Sequence, residues 1–284
     1  MPSMKMLSSD SHHSRLNVEL VLIFIVIAFM MILGFAKSSK AVEKAFPFYP
    51  GEKLTFQVKW GFIPAGEATL EVHPIETTHG VKTYHFVMIA KTNPFIDLFY
   101  KVRDRIDAYT DIEMTHSILY KKQKEGKTKK NVLVNFNWAK QEAQYSSFGE
   151  KRKPVSVLPG SFDPLSIFYA FRLHDPKENA EIEKPVTDGK KCVMGKAKVI
   201  KREKIKVTSG TYDTYLVEPD LKNIGGVFKK SRDAKLEIWI TADSQRLPVK
   251  IKSKVIVGSF VAELISVEKI GPDVSIFEKK NTDI

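Results

Sequence analysis

Alternation of apolar and polar residues with a period of two is the feature that most restricts the fold of this chain. Leu54, Phe56, Val58 and Trp60 alternate with polar residues, which places four large apolar side chains on one face of an extended segment. The same pattern recurs in residues 68–72, 84–91, 105–110, 117–121, 132–138, 144–148, 191–206, 212–219, 236–241, 248–253 and 255–267. About a dozen strands in series predict a mainly β protein.

Strands that follow one another in this way leave exposed edges, which closing or curling the sheet around its apolar face removes. We therefore predict a curved antiparallel sheet that forms a barrel or half-barrel, with a two-sheet sandwich as the alternative. One short helix is expected between Asp163, which is placed to cap it, and Arg172, with Pro164 in its first turn. Residues 92–100 are predicted to form a helical turn or a loop that plugs one end of the barrel.

An uncharged apolar segment, Leu20–Ala36, follows an N-terminal flank that contains Lys5 and Arg15. Its 17 residues lie between the usual length of the apolar part of a secretion signal and that of a membrane-spanning helix. We interpret residues 1–41 as a signal peptide or signal anchor with an apolar helix. We favour cleavage over retention as an anchor, and the small residues before Ala41 and Ala36 offer two possible cut sites. The chain is therefore expected to be exported to the periplasm or to the outer face of the inner membrane.

The rest of the chain is predicted to comprise a tether (42–50), a single antiparallel β domain (51–270) and a C-terminal tail (271–284). Residues 42–284 contain 41 of the 45 lysines and arginines and 31 of the 33 acidic residues, which gives this part a net charge of +10. Such an excess favours an anionic partner, such as a lipid or an anionic envelope polymer, and export argues against nucleic acid. If the segment Leu20–Ala36 is not cleaved, it is the expected attachment to the membrane.

The chain lacks the residue patterns of common catalytic and cofactor sites. It contains no GxSxG, HExxH, GxxxxGK[ST] or CxxC motif. Its one cysteine, Cys192, cannot form an internal disulfide and does not follow the apolar segment closely enough to accept a lipid. His73, His79 and His85 recur at intervals of six, but solvated hairpin residues explain them better than a metal site does. We predict no catalytic residue, no metal and no cofactor.

Two charged segments are candidate contact surfaces. In residues 103–107, arginines alternate with aspartates, and we interpret this pattern as a strand edge that resists aggregation, with a binding edge as the alternative. Residues 121–130 resemble an extended hairpin tip, which is either a solvated loop or a contact with an anionic membrane or polymer. The tentative contact residues in it are Lys121, Lys122, Lys124, Lys127, Lys129 and Lys130.

Three groups of residues together resemble the bacterial envelope proteins that are grouped as domain of unknown function 3108. These groups are Pro50–Phe56 with Trp60 and Ala65–Ala68, then Asp163–Ser166 with Arg172, and last Leu236–Ile240 with Asp243, Arg246–Val249 and Gly258–Ser259. They follow the order of the family and span the chain from Phe48 to about Val267. The resemblance implies an exported, mainly antiparallel β domain of curved or barrel-like form, and it brings no catalytic residues.

The large side chains of these motifs are candidates for a ligand site. Trp60 and Trp239 are expected to fill the core, with a ligand-lining role as the alternative. Phe56 and Arg172 complete the tentative ligand-binding set, although Arg172 is also explained by the favourable placement of a cation at a helix C-terminus.

Two functions fit these observations. We favour a non-catalytic module whose apolar concave face binds a lipid or another amphiphile, with basic loops near its anionic head group. The alternative is a structural or scaffolding envelope protein that contacts a membrane complex or a cell-wall polymer. A hollow interior would support the first and a packed interior the second. An enzyme acting on glycans or lipids is the least supported class, because no paired acid and base is recognisable.

Overall fold

The computed structural model describes residues 46–126, 129–222, 233–255 and 258–269. Within these ranges it contains two helices, α1 (Pro94–Asp97) and α2 (Ser166–Arg172). The strands are β1 (Glu52–Trp60), β2 (Ile63–Thr78), β3 (Val81–Thr92), β4 (Arg103–Asp111), β5 (Ser117–Glu125), β6 (Lys129–Asn137), β7 (Glu142–Ser147), β8 (Glu150–Lys151), β9 (Val155–Ser156), β10 (Glu181–Thr187), β11 (Cys192–Val207), β12 (Gly210–Pro219), β13 (Lys235–Thr241), β14 (Pro248–Val255) and β15 (Gly258–Lys269).

All fifteen strands belong to one antiparallel sheet. Its order is β10-β11-β12-β13-β14-β15-β1-β2-β3-β4-β5-β6-β7-β8, and β9 pairs with β7. The one long-range pairing joins β15 to β1, with Glu52 opposite Lys269 and Trp60 opposite Phe260. The predicted mainly β, antiparallel fold is therefore confirmed.

The sheet is not closed into a barrel by strand pairing in the described part of the chain, so the closed alternative is wrong. The reason lies at its two ends. Phe162 forms a bridge with Val186 of β10, and Ser161 accepts a hydrogen bond from the backbone N–H of Ser117 at 3.1 Å. The free side of β7 is covered by β8 and β9. A loop therefore fills the gap between β10 and β7, and we call this gap the seam.

Side chains fill the interior of the curved sheet. Tyr169 of α2 is fully buried and stacks on Phe86 of β3 with ring centroids 3.9 Å apart. Phe48, which lies in the predicted tether, contacts both rings edge-on at 5.4 Å. Buried residues from opposite halves of the sheet, such as Val134 and Trp239, belong to the same apolar cluster. The sheet thus curls around α2, and over the described residues its interior is packed.

The alternation located all twelve predicted strands, but three strands were missed. β8 and β9 have two residues each, and β10 carries three charges and Pro185, which hide its pattern. The predicted single helix begins later than expected, at Ser166. The helical turn, one of the two alternatives predicted for residues 92–100, is confirmed as α1, because the Asn93 side chain caps it and Pro94 starts it.

Two glycines around the first hairpin stand where a side chain would be costly. Gly51 adopts a φ of 96°, a conformation that costs glycine little. Gly66 lies so close to β3 that a Cβ there would be 2.1 Å from the carbonyl oxygen of Lys91. Pro248 is the first residue of β14, as expected for a proline in a sheet.

The predicted signal or anchor segment and the C-terminal tail lie outside the described residues. In the part of the chain that the structure describes, no helix is long and apolar enough to cross a membrane.

Arg172, at the end of α2, forms a buried ion pair with Glu52 at the start of β1. Its Nη1 and Nη2 lie 2.6 and 3.1 Å from the Glu52 carboxylate oxygens, and each side chain is only 2% exposed. Nη2 also donates hydrogen bonds to the carbonyl oxygens of Pro47 at 2.7 Å and Gln245 at 3.0 Å. One cation therefore joins the N-terminal segment, β1, α2 and the turn before β14.

Removing either charge of this pair should destabilise the domain strongly. We expect Glu52→Gln and Arg172→Met each to lower the free energy of unfolding by about 3–5 kcal/mol, because the remaining charge stays buried without its partner. Replacing both, as Glu52→Leu with Arg172→Met, should cost less than the sum. Urea unfolding followed by circular dichroism measures these differences.

The exposed pair of Arg202 and Asp213 provides the control. Because solvent screens it, Arg202→Met should shift the unfolding midpoint little. A shift as large as that of Arg172→Met would contradict the importance assigned to the buried pair.

Candidate functional site

An apolar groove lies between α2 with its following loop and strands β10 to β13. Its volume is about 510 Å³, counting the space open to solvent at its mouth. Two of the twelve lining residues, Arg172 and His174, are polar. The other ten are apolar: Phe168, Phe171, Pro176, Ile182, Ala197, Val199, Val217, Pro219, Ile238 and Ile240. Such a lining suits an aliphatic chain better than a polar substrate.

The strands below the groove are apolar on both faces. Leu216 and Trp239 pack into the interior cluster, whereas their sequence neighbours Val217 and Ile240 line the groove. A strand with one solvated face alternates, so apolar neighbours in sequence indicate that both faces are covered or bind something. The adjacent apolar residues of β12 and β13 are visible in the sequence and could have indicated the groove.

Asp163 fixes the start of α2, as predicted for a capping residue. Its Oδ1 accepts hydrogen bonds from the backbone N–H groups of Leu165 at 2.8 Å and Ser166 at 2.9 Å. Its Oδ2 accepts from the hydroxyl of Ser117 in β5 at 2.6 Å. Burial raises the pKa of Asp163, and these hydrogen bonds offset only part of that effect. With Arg172 held at the other end, α2 is a fixed wall of the groove.

Arg172 has one donor left after its structural contacts. Its Nε–H is buried and finds no hydrogen-bond acceptor among the described residues. A buried donor without a partner costs about 1–3 kcal/mol. Since Arg172 lines the groove, an oxygen atom of a ligand is the kind of group that would satisfy it.

The four residues predicted to bind a ligand are not brought together. Phe56 is 2% exposed and Trp239 is 9% exposed, and both pack into the interior cluster. Trp60 lies at the far end of β1, where it stacks on Phe260 with centroids 6.3 Å apart. Only Arg172 lines the groove. A ligand-binding role for Phe56, Trp60 and Trp239 remains a prediction.

The predicted basic hairpin is formed by β5 and β6, and its lysines differ in environment. Lys124 pairs with Asp104 at 2.5 Å. Burial and the neighbouring charge of Lys124 lower the pKa of Lys122. Lys127 lies outside the described residues. Three lysines are exposed and have no ion pair in the described ranges, namely Lys121, Lys129 and Lys130.

The charges of residues 103–107 do not form a sheet edge, so that interpretation was wrong. β4 pairs with β3 on one side and β5 on the other. Asp107 instead accepts two hydrogen bonds from Arg105, at 2.9 and 2.7 Å, and lies 2.9 Å from Nε2 of His85. Nδ1 of His85 lies 2.9 Å from Glu76, and its ring stacks on Tyr109.

This cluster is an electrostatic clamp across β2, β3 and β4. Burial would raise the pKa of Asp107, but the hydrogen bonds from His85 and Arg105 outweigh it and hold that pKa well below its usual range. Burial, assisted by Glu76 and Asp107, raises the pKa of Tyr109 to about 12. None of these side chains lines the groove. No group of acidic, histidine or cysteine side chains suited to a metal ion occurs in the described part of the chain.

The depressed pKa of Asp107 predicts a pH dependence of stability. Because the folded pKa lies below the unfolded value of about 3.9, the ionised carboxylate stabilises the fold at pH 5 and above. This contribution should fall as the pH drops below about 4 towards the folded pKa. The difference in free energy of unfolding between the wild type and Asp107→Asn, measured with urea, should therefore shrink below pH 4. A difference that grows on acidification would contradict the assignment.

Comparison with known proteins gives a family match and no activity. The profile of the family described as "Protein of unknown function (DUF3108)" matches residues 55–265. This confirms the resemblance drawn from the sequence motifs. No curated protein matches the sequence significantly.

Three solved structures are similar over most of their length. A beta-barrel-like protein of DUF1849 from Brucella abortus is 8% identical, with 78% of this chain and 98% of that chain covered and a TM-score of 0.49. A "putative lipoprotein" from Parabacteroides distasonis is 12% identical, with 78% and 97% covered and a TM-score of 0.31. A "putative exported protein" with a YmcC-like fold from Bacteroides fragilis is 8% identical, with 79% and 98% covered and a TM-score of 0.32. These identities are too low to transfer any functional residue.

Proposed function

The chain belongs to the DUF3108 family of proteins of unknown function, and we propose from its geometry that it is a non-catalytic envelope module that binds a single-chain anionic amphiphile. The acyl chain lies in the groove beside α2, and an oxygen of the head group meets Arg172. The observation that carries this proposal is the apolar lining of the groove, which includes Arg172 as one of only two polar residues. The Nε–H of Arg172 is buried and has no partner among the described residues. An exported chain would meet such ligands in the periplasm or at the outer face of the inner membrane.

The hydrophobic gain depends on how much of the acyl chain the groove covers. Each methylene group that it buries contributes about 0.8 kcal/mol. Part of this gain is lost when the chain and the lining side chains become ordered, so we expect reversible binding.

Filling the groove should weaken amphiphile binding. Ile182 and Ile240 are half-buried lining residues from strands on opposite sides of the groove floor. Ile182→Trp and Ile240→Trp should each weaken the binding of a dansyl-labelled fatty acid at least about tenfold, because each lost CH₂ contact costs about 0.8 kcal/mol. Fluorescence titration measures the change.

Ile75 offers a matched control, since it is 46% exposed on β2 and does not line the groove. Ile75→Trp should bind the labelled fatty acid as the wild type does. If the wild type does not bind it, or if all three variants bind equally well, the groove is not an amphiphile site.

A structural or scaffolding role is the second candidate, and the packed interior favours it. In this role the domain contacts a membrane complex or a cell-wall polymer through the exposed lysines of the β5–β6 hairpin. Lys121→Gln, Lys129→Gln and Lys130→Gln together should then reduce partner recovery after crosslinking in the envelope. Lys198→Gln, Lys204→Gln and Lys206→Gln remove the same charge from exposed positions of β11 and serve as the control. Equal recovery with both triple variants would argue against this role.

A further inference from the structure

Exposed apolar side chains are concentrated at one end of the sheet. In an antiparallel sheet, alternate connections fall at the same end, so the turns β1–β2, β3–β4, β5–β6 and β7–β8 lie together there. Phe62 is 100% exposed and Leu98 is 79% exposed. We call this region the aromatic end and define it by Trp60, Phe62, Phe95, Leu98, Phe99 and Phe148.

The first two turns of the aromatic end form one surface. Asn93, just before α1, donates its backbone N–H to the carbonyl oxygen of Ala65 at 3.0 Å and its side-chain amide to that of Pro64 at 2.6 Å. These bonds hold α1 against the start of β2, next to Phe62. On α1 and its last turn, the rings of Phe95 and Phe99 pack edge-on with centroids 5.6 Å apart. The apolar side chains are thus presented on a fixed backbone.

Around these four turns, unpaired charge is mainly positive. Two of the acids there are neutralised, since Asp97 pairs with Arg103 at 2.6 Å and Asp104 with Lys124 at 2.5 Å. Two acids, Glu125 and Glu150, are exposed without an ion pair in the described ranges. Five lysines are in the same situation: Lys101, Lys129, Lys130, Lys151 and Lys153. The backbone of Gly126 touches the carbonyl of Lys101, so the β5–β6 tip adjoins the α1 loop.

We propose that the aromatic end docks onto the surface of an anionic phospholipid bilayer. Large apolar side chains in full contact with water are costly and mark interaction surfaces. Aromatic rings favour the membrane interface, and lysines around them attract anionic head groups at about 1 kcal/mol each. The unpaired charge is mainly positive and spread over several turns, which matches a layer of anionic head groups. This proposal concerns residues that do not line the groove and is independent of amphiphile binding there.

An environment-sensitive label at the tip of the aromatic end tests the proposal on the intact chain. Phe62→Cys in a Cys192→Ser background, labelled with a nitrobenzoxadiazole fluorophore, is mixed with vesicles of phosphatidylcholine with or without phosphatidylglycerol. We expect a blue shift only when phosphatidylglycerol is present. The control label is placed by Val81→Cys at the opposite end, where Val81 starts β3 beside the β2–β3 turn and is 41% exposed, and its emission should not shift.

Lysine substitutions then test the electrostatic part. Lys101→Gln, Lys129→Gln and Lys130→Gln in the Phe62→Cys background should each weaken vesicle binding about fivefold, as the loss of one lysine near an anionic surface predicts. The triple substitution Lys198→Gln, Lys204→Gln and Lys206→Gln should leave binding unchanged.

Unaltered emission of the label at position 62 on vesicle-bound protein, or equal shifts at positions 62 and 81, would overturn the proposal. A shift that needs an envelope protein and no lipid would identify a protein interface instead. Ile182→Trp should leave the signal unchanged, so failure of the groove proposal is distinguishable.

Discussion

The arrangement of the domain depends on the buried pair of Glu52 and Arg172. Its hydrogen bonds join groups up to 125 positions apart in sequence, since the same guanidinium reaches Pro47 and Gln245. Burying two charges is costly, and an apolar substitute could have been as stable. An apolar contact, however, would allow α2 to rotate or slide inside the sheet. The planar guanidinium can make both hydrogen bonds to Glu52 in only one position of the helix, so the pair sets the register between α2 and β1.

Because α2 is held in place, its two faces contact different parts of the molecule. Tyr169 and Ala170 point into the packed interior, whereas Phe168 and Phe171 line the groove. The interior that might have held a ligand is filled by the helix itself. The same helix creates a second apolar surface beside β11 to β13, where strands are apolar on both faces. A packed interior and a ligand site are therefore compatible in this fold, although from the sequence they looked like alternatives.

The strands were predictable because period-two alternation is a local property, and Pro248 and Asp163 act through their immediate backbone. The open sheet was not predictable, since it depends on Phe162 meeting Val186 across a loop. The burial of Lys122 and the ion pair of Lys124 with Asp104 were also not predictable, because both depend on the register between β4 and β5. The same holds for His85, whose carboxylate partners come from two other strands. The groove was visible in part as adjacent apolar residues in β12 and β13.

At the seam, a loop and one isolated bridge join the two ends of the sheet within the ranges that the structure describes, and no ladder of strand pairs does. Backbone pairing therefore does not fix the circumference of the sheet there. The two sides of the seam are joined by a loop, so they can separate while every strand keeps its partners. The only thiol of the chain lies there, with the sulfur of Cys192 3.4 Å from the hydroxyl of the buried Ser161. Cys192 is partly exposed, so this contact lies at the surface of the seam. Breaking it would leave every strand pair of the sheet formed.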